Sequence, residues 1–429
     1  MLGAFAQSVA VLTTLLTVAG IGYFCAALIA ACAFLRHRRT ALAAFSPGVS
    51  ILKSLKGLDP GMIEAFRTHC RQVYAGEYEL LFGVSALDDP AVAAVEQLMD
   101  EFPQRRIRLI ECPDRLGTNG KVSTLVQLAP HARYNFLLIN DSDISVSPRY
   151  LERVMACFAT EATPSGAKAR VDPALTYGLK PVPFNKAGSF TIPAKPVGLV
   201  TALYRGRAHG TLPSRLEALG IATDFQASVL LSKMIEGGLH YGLGSTLAVR
   251  REALEKIGGL IQLKDHLADD YELGRRVAQA GYRVALSAEV VETGIPAYGW
   301  RGFIDHQLRW ARTVCDARPW GYAGLIFVHG LGWALINMLV HLRVNGLAGG
   351  MRSLSLGLLA VSFLLRLALA ITVGVQVLGD RQVIPSLGLL PLRDLVAMGI
   401  WVAGFAGNTI VWRGERFAVK NGKLHSVGR

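Results

Sequence analysis

No charged side chain precedes Arg36 in this chain. Val9 to Leu35 therefore run apolar without a break, longer than the ~20 residues that cross a bilayer. The N-terminus is also uncharged, whereas a secretory leader would have a basic start, a shorter apolar region and a small-residue cleavage site. The run ends instead in "RHRR", Arg36 to Arg39, and reads as a membrane anchor with its C-terminal side in the cytoplasm. Paired cysteines are missing too. The six cysteines show no C-x-x-C spacing, which argues against a disulfide framework and against a zinc site. Acids are scarce, 32 against 45 Lys and Arg, for a net charge of +13. Yet no basic stripe with interleaved aromatics and no nucleic-acid motif accompanies that charge, so nucleic acid is not the expected partner. The basic residues cluster beside apolar segments and in loops, where lipid headgroups and ligand phosphates are the fitting counter-charges.

What the chain does have is apolarity: 51% of its 429 residues are hydrophobic, too many for an ordinary soluble enzyme. Three further apolar segments follow: Trp320 to Leu342, Leu354 to Leu378 and Leu395 to Trp412. Arg366 falls near the middle of the second. A lipid-facing Arg there would cost ~2.5–3.5 kcal/mol, so it is expected to face protein or water. The layout that follows is an anchor (1–40), one middle domain (41–318), C-terminal membrane helices (319–413) and a basic tail (414–429). Four crossings would put that tail, "RGERFAVKNGKLHSVGR", outside, which the positive-inside rule disfavours. A re-entrant or interfacial segment among the three is the alternative.

The middle domain alternates short apolar runs with helical spacing. "GVSILKSLKG", "YELLFGVSALDDP", "RRIRLIE", "YNFLLINDSD" and "VGLVTALYRG" read as strands. "MIEAFRTHCRQVY", "AVAAVEQLMDEF" and the segment opened by "GTNGKVSTLVQLA" read as helices. That alternation predicts an α/β fold with a mainly parallel sheet and helices on both faces. Ala162 to Lys195, rich in Pro, Gly, Ala and Lys, interrupts it as a long loop. Ligands of such sheets sit at the carboxyl ends of the strands. Lys53, Asp88, Asp89 and the pair Asp141 and Asp143 all occupy such ends.

Asp141-Ser142-Asp143 closes a buried-strand pattern with two hard oxygen ligands. A turn there lets both carboxylates converge on Mg²⁺ or Mn²⁺, which would bridge to the phosphates of a nucleotide. "HLADDYELG" leads Asp269 and Asp270 into a helix. One acid can serve the helix dipole, and the other can act as a general base on a hydroxyl. "FIDHQLRWART" places His306, Arg309 and Trp310 before the second apolar segment, either as an interfacial amphipathic helix or on a leaving diphosphate. Gly242 and Gly244 of "GLGST" permit close backbone approach beside Ser245 and Thr246.

Taken in order, "PGVSILKSLKG", "DDPA", "GTNGKVSTL", "DSDISVSP", "VGLVTALYRG", "GSTLAVRREALEKIGGL", "LADDYELG" and "HQLRWART" resemble the membrane-bound family-A glycosyltransferases. Within them the chain resembles glycosyltransferase family 21. Members include ceramide glucosyltransferases and bacterial hopanoid-associated enzymes, and "LYRG", "HLADDY" and "LRWART" look closest to the hopanoid branch. The resemblance covers about Pro47 to Trp310. It implies a GT-A catalytic domain, a UDP-sugar donor, a membrane-lipid acceptor such as ceramide or bacteriohopanetetrol, and a divalent metal. It also implies a bacterial inner membrane, with the catalytic domain facing the cytoplasm. By the same resemblance Asp89 lies near the uracil, with Lys53, Asp88, Asn119 and Lys121 on the donor side. Asp141 and Asp143 form the metal-associated D-x-D, and Asp270, beside Asp269, is the catalytic base. Arg309 and Trp310 end the family's Q-x-x-R-W motif. His306 departs from it by standing where Gln is usual, as Ser54 departs from a common Pro. The implied activity is inverting transfer of glucose or N-acetylglucosamine to a lipid hydroxyl. The rival enzyme is a processive polysaccharide synthase, which needs more crossing helices. The rival from another class is a non-catalytic nucleotide-sugar-binding membrane protein, which would not release UDP.

Overall fold

The computed structural model describes residues 2–38, 44–159, 195–343, 349–412 and 415–426. The loop read at Ala162–Lys195 lies outside them, apart from Lys195. The first apolar run is one helix, α1 (Leu2–His37), with Arg36 and His37 in its last turn against the negative end of the dipole. The first half of the middle domain is β1 (Val49–Ser54), α2 (Met62–Cys70), β2 (Tyr78–Val84), α3 (Ala91–Glu101), β3 (Arg106–Glu111), α4 (Gly120–Leu128), β4 (Phe136–Ile139) and α5 (Tyr150–Ala156). The second half is β5 (Val197–Ala208), α6 (Leu212–Gly220), α7 (Gln226–Ile235), β6 (Leu247–Arg250), α8 (Arg251–Lys256), α9 (Asp269–Gln279), β7 (Arg283–Ile295) and α10 (Trp300–Ala317).

Among the described residues, seven strands form one sheet in the order β3-β2-β1-β4-β6-β5-β7. The strands β1 to β4 are parallel, β6 runs antiparallel between β4 and β5, and β5 pairs in parallel with β7. The α/β class expected, with its mainly parallel sheet, is the one observed. Strands β1, β2 and β4 are apolar and buried on both faces, as parallel strands under two helical layers must be. Because side chains alternate, Ile51, Phe82 and Leu138 pack beneath α2, α3 and α5, while Leu52, Leu81 and Leu137 face the other way.

The chain continues as α11 (Pro319–Gly324), α12 (Gly330–Arg343), α13 (Gly349–Ala370), a π-helical turn (Ile371–Val377), a 3₁₀ stretch (Arg381–Leu389) and α14 (Leu390–Gly404). The membrane helices join the cluster of the sheet's second face through α7 and the turn before it, against which α1 and α13 pack. Phe24, Leu331 and Val373 belong to the same apolar cluster as Leu52, Leu81 and Leu137. Among the described residues, three helical segments are long and apolar enough to cross a bilayer: Ala6–His37, Gly350–Val377 and Arg381–Gly404. The pair Pro319–Phe327 and Gly330–Arg343, bent by 53°, makes a fourth if it is one span. Helices α1 and α12 touch backbone to backbone at glycine: a Cβ on Gly20 would stand 2.3 Å from Gly330 Cα. Such close approach suits helix pairs that gain little from apolar burial in lipid.

Arg366 is 1% exposed and faces protein, as the cost of a lipid-facing charge requires. Its guanidinium donates to both oxygens of Asp394, each at 2.9 Å, and to Asp224. One sequence expectation fails here. Leu395 to Trp412 is not a single apolar helix, since α14 ends at Gly404 and Thr409–Trp412 is a strand. Gly407, at φ 98°, breaks the helix where hydropathy alone sees continuity.

Candidate active site

The parallel strands bring the ends of β1, β2 and β4 to one edge. Strand β4 is pinned there by Asn140, whose amide donates to Ser245 O (2.7 Å) and to the Tyr150 hydroxyl (3.1 Å). The next residue is Asp141. Its backbone oxygen accepts from Lys53 Nζ at 3.0 Å, so the last residues of β1 and β4 are tied together. Lys53 is fully buried, and burial depresses its ammonium to about 7 despite Asp141 and Asp143 nearby.

The two acids of D-x-D do different work. The Asp141 carboxylate is 45% exposed and lies 2.7 Å from Lys121 Nζ. Asp143 turns away, and its Oδ2 accepts from Thr293 Oγ1 and, at 3.1 Å, from Gly294 N of β7. Burial, then the neighbouring Asp141 charge, pushes the Asp143 carboxyl above its ordinary range. Ser142 between them donates to Asp59. Asp141 therefore fits a hard divalent cation, while Asp143 has one oxygen already committed to β7. Among the described residues no three His, Cys, Asp or Glu side chains form a ready-made cation cage. A cation held here would take further oxygens from phosphate or water.

Facing Asp141 is the start of α9. Asp269 and Asp270 both lie in its first turn, where the dipole favours negative charge. Asp269 Oδ2 is 3.5 Å from Lys121 Nζ, and its Oδ1 accepts from the Asn119 amide at 3.4 Å. Lys121 thus sits between Asp141 and Asp269. Burial works against its charge, but the two carboxylates outweigh burial and hold it above the usual lysine range. Asn119 is fully buried. It caps α4 by accepting from Val122 N (3.1 Å) and donates to His266 O (2.8 Å), so it fastens two loops rather than facing open space. Asp270 accepts from Tyr271 N at 2.8 Å. Burial, then the Asp269 charge, pushes its carboxyl up to about 6. Gly244 matters here because of what a side chain would meet. A Cβ on it would stand 3.0 Å from Asp270 Oδ2 and 3.7 Å from Asp141 Oδ2. The two carboxylates converge over that glycine.

The structure thus brings together Lys53, Lys121, Asp141, Asp143, Asp269 and Asp270. Asp89 lies on the same edge but serves the loop after β1, accepting from Gly57 N (2.9 Å) and Ala91 N (2.9 Å). Asp88 is exposed beside it.

His306, Arg309 and Trp310 form a second group on the amphipathic helix α10. His306 Nδ1 lies 3.1 Å from Glu217 Oε2, and the Glu217 carboxylate also accepts from Gln307 (3.2 Å) and from the Tyr298 hydroxyl. Burial would raise the Glu217 carboxyl, but His306 outweighs it and holds the group below its ordinary range. The Arg309 charge acts on the Tyr298 hydroxyl. Trp310 stacks near His306 (5.0 Å) and Phe225 (6.4 Å), and Phe225 near Tyr204 (5.7 Å). Burial, then the charges of Asp270 and Glu217, push the Tyr204 phenol above its ordinary range. Glu217, Tyr204 and Thr293 were not singled out by sequence reasoning. Tyr204 lies in a quoted motif, "LYRG", where a polar-tipped aromatic inside a buried strand is a usable signal. Glu217 reads as an ordinary helix acid, and Thr293 as an ordinary strand residue.

A family model described as glycosyl transferase family 21 matches residues 12–165 and 190–425. Ceramide glucosyltransferase 3 of Caenorhabditis elegans is 26% identical over 274 residues, 64% of this chain and 52% of that protein. A ceramide glucosyltransferase of Komagataella phaffii is 30% identical over 110 residues, 25% of this chain and 21% of that protein. The chain spans about half the length, or less, of these curated relatives. Among solved structures, the mannosyltransferase PcManGT of Pyrobaculum calidifontis, in complex with GDP-Man and Mn²⁺, overlaps at a TM-score of 0.47 with 17% identity, over 94% of this chain and 98% of that one. S. aureus TarS with UDP-GlcNAc overlaps at 0.36 with 11% identity, over 89% of this chain and 99% of that one. Both overlaps are loose.

Proposed function

We propose that this chain, which belongs to glycosyl transferase family 21, is a membrane-bound inverting glycosyltransferase acting on a lipid hydroxyl. The donor is a UDP-sugar, with glucose or N-acetylglucosamine as the transferred group. The acceptor is ceramide or a hopanoid such as bacteriohopanetetrol. The observation that carries this reading is the convergence of Asp141 and Asp270 over Gly244, at a sheet edge whose domain shares one apolar core with membrane helices.

The chemistry follows from the groups present. Asp270 is a carboxylate at neutral pH, yet more basic than an ordinary one, which suits a general base. It takes the proton of the lipid hydroxyl as the oxygen attacks the anomeric carbon. The new C–O bond forms as the bond to the diphosphate oxygen breaks, and the electron pair leaves with UDP. One displacement inverts the centre. Lys121 holds positive charge beside Asp141 and opposes negative charge gathering on the diphosphate, while Lys53 fixes the Asp141 turn. A divalent cation, Mg²⁺ or Mn²⁺, held at Asp141 would add positive charge there. Asp143 orients that turn through Thr293. On this reading Arg309 and Trp310 serve the acceptor and diphosphate side. A bacterial inner membrane with the domain on the cytoplasmic face is part of the proposal, supported by Arg36 and Arg38 at the end of α1.

Expression in a host that makes no glycolipids tests it, with ceramide and hopanoid acceptors fed in parallel. Mass spectrometry of the lipid extract is expected to show one acceptor heavier by a single hexose or N-acetylhexosamine. A ladder of sugar additions, or unchanged lipids with intact UDP-sugar, would count against it.

A further inference from the structure

The described part of the basic tail is β9 (Glu415–Lys420) and β10 (Lys423–Ser426), which with β8 (Thr409–Trp412) from the end of the third apolar segment form an antiparallel three-stranded sheet. Strands β9 and β10 turn at Asn421-Gly422, with φ 53° and 75°, the positive pair a tight hairpin needs. Ile410, Phe417, Val419 and Leu424 make a small buried core, and Leu267 of the middle domain completes it. The join is made by backbone. Leu267 N donates to Gly422 O at 3.1 Å, and Leu424 N donates to Asp265 O at 2.8 Å. Asp265 to Leu267 therefore lie against the sheet as an extra edge. Helix α10 braces the turn: Asp316 accepts from Asn421 N (3.1 Å) and from Gly422 N.

The segment so held leads into Asp269 and Asp270. It also fastens the donor-side loop. Asn119 N donates to Lys264 O (2.8 Å), Thr118 N to the Asp265 carboxylate (3.0 Å), and the Asn119 amide to His266 O (2.8 Å). Position along the membrane agrees. Arg38, at the end of α1, donates to Val377 O at 2.8 Å. Gln382 bonds β5 through Ala208 N (3.2 Å) and Gly206 O (3.3 Å). At the far end of α14, Arg312 of α10 donates to Ala406 O at 3.1 Å. Residues 381–404 thus begin and end on the middle domain.

We propose that the C-terminal sheet is a strut of the active site, which positions the loop carrying Asp269 and Asp270. Residues 381–404 deliver it without crossing the bilayer. The proposal rests on the functional reading above in so far as that loop carries the base. It makes three crossings, with α11–α12 outward and α13 returning, and it keeps the basic tail on the cytoplasmic face.

The test uses the full chain with Asp316→Ala, Asp316→Asn and Gly422→Val. Asp316→Ala removes the acceptor that holds the turn, whereas Asp316→Asn keeps a side-chain oxygen for it. Gly422→Val puts a β-branched residue at φ 75°. For Asp316→Ala and Gly422→Val, hydrogen exchange is expected to quicken at 117–120 and 264–270 while the rest of the domain stays protected. For both, kcat for UDP release is expected to fall tenfold or more, with donor KM within about threefold of wild type. Asp316→Asn is expected to restore most of that loss. A C-terminal cysteine tag is expected to be labelled only from the face that holds the middle domain. Unchanged exchange at 264–270, a kcat loss matched by lost folded protein, or labelling from the opposite face would each overturn the strut. A wild-type chain that releases no UDP would instead remove the functional reading, and the exchange and labelling arms would still decide the strut.

Discussion

Asp270 carries the proposed chemistry through one property, a carboxyl raised to about 6 by burial and by Asp269. The sign of its pH dependence follows. A base must be ionised, so kcat/KM is expected to fall as pH drops through about 6, well above the ordinary carboxylate range near 4. A pH–rate series on UDP release checks it; an acid limb near 4 in kcat/KM would remove the raised carboxyl from the account. At this scale the sequence was legible where local pattern carries meaning. "NFLLINDSD" marked the strand end because an apolar run stopping on acids has few other uses. It did not show that Asp143 turns to Thr293, 150 positions later, since no periodicity reports a pairing made by the sheet. The sequence did not show the place of Lys121 between Asp141 and Asp269 either.

Elements were legible by hydrophobic period, and the strands and helices of the first half fall where alternation placed them. The failures came where a turn residue outweighs hydropathy. Gly407 breaks the chain out of helix after α14 inside an apolar stretch, and Asn421-Gly422 makes a hairpin of a segment whose charge suggested a tail. That dipeptide was the available signal. Arg366 shows the opposite case, where a cost argument made from the sequence predicted the environment correctly. It joins α13 to Asp394 of α14 and to Asp224 of the π-helical turn Ile221–Phe225 after α6, and Phe225 of that turn reaches Trp310. Removing one member of a buried pair leaves the others uncompensated, typically at about 3–5 kcal/mol. Arg366→Met is therefore expected to lower the melting temperature of the detergent-solubilised protein markedly. The double change Arg366→Met with Asp394→Leu is expected to recover part of it. A single variant as stable as wild type would show that the cluster contributes nothing net.

The whole molecule is one apolar body with a polar edge. The sheet face that carries Leu52, Leu81 and Leu137 continues into Phe24, Leu331 and Val373, so the membrane bundle and the site-bearing sheet share a core. That continuity was not readable from composition, which showed only that both parts exist. On the proposed function it lets an acceptor approach the edge without leaving the bilayer, which suits a lipid hydroxyl and explains a basic, apolar chain of this size. The central claim is that Asp270 takes the acceptor proton at a donor site built around Asp141. Asp270→Asn in vesicles that contain the acceptor lipid tests it most directly. The account predicts UDP-sugar binding within about threefold of wild type and glycolipid formation reduced at least ~10²-fold. Glycolipid formation by Asp270→Asn at near wild-type rate would contradict it.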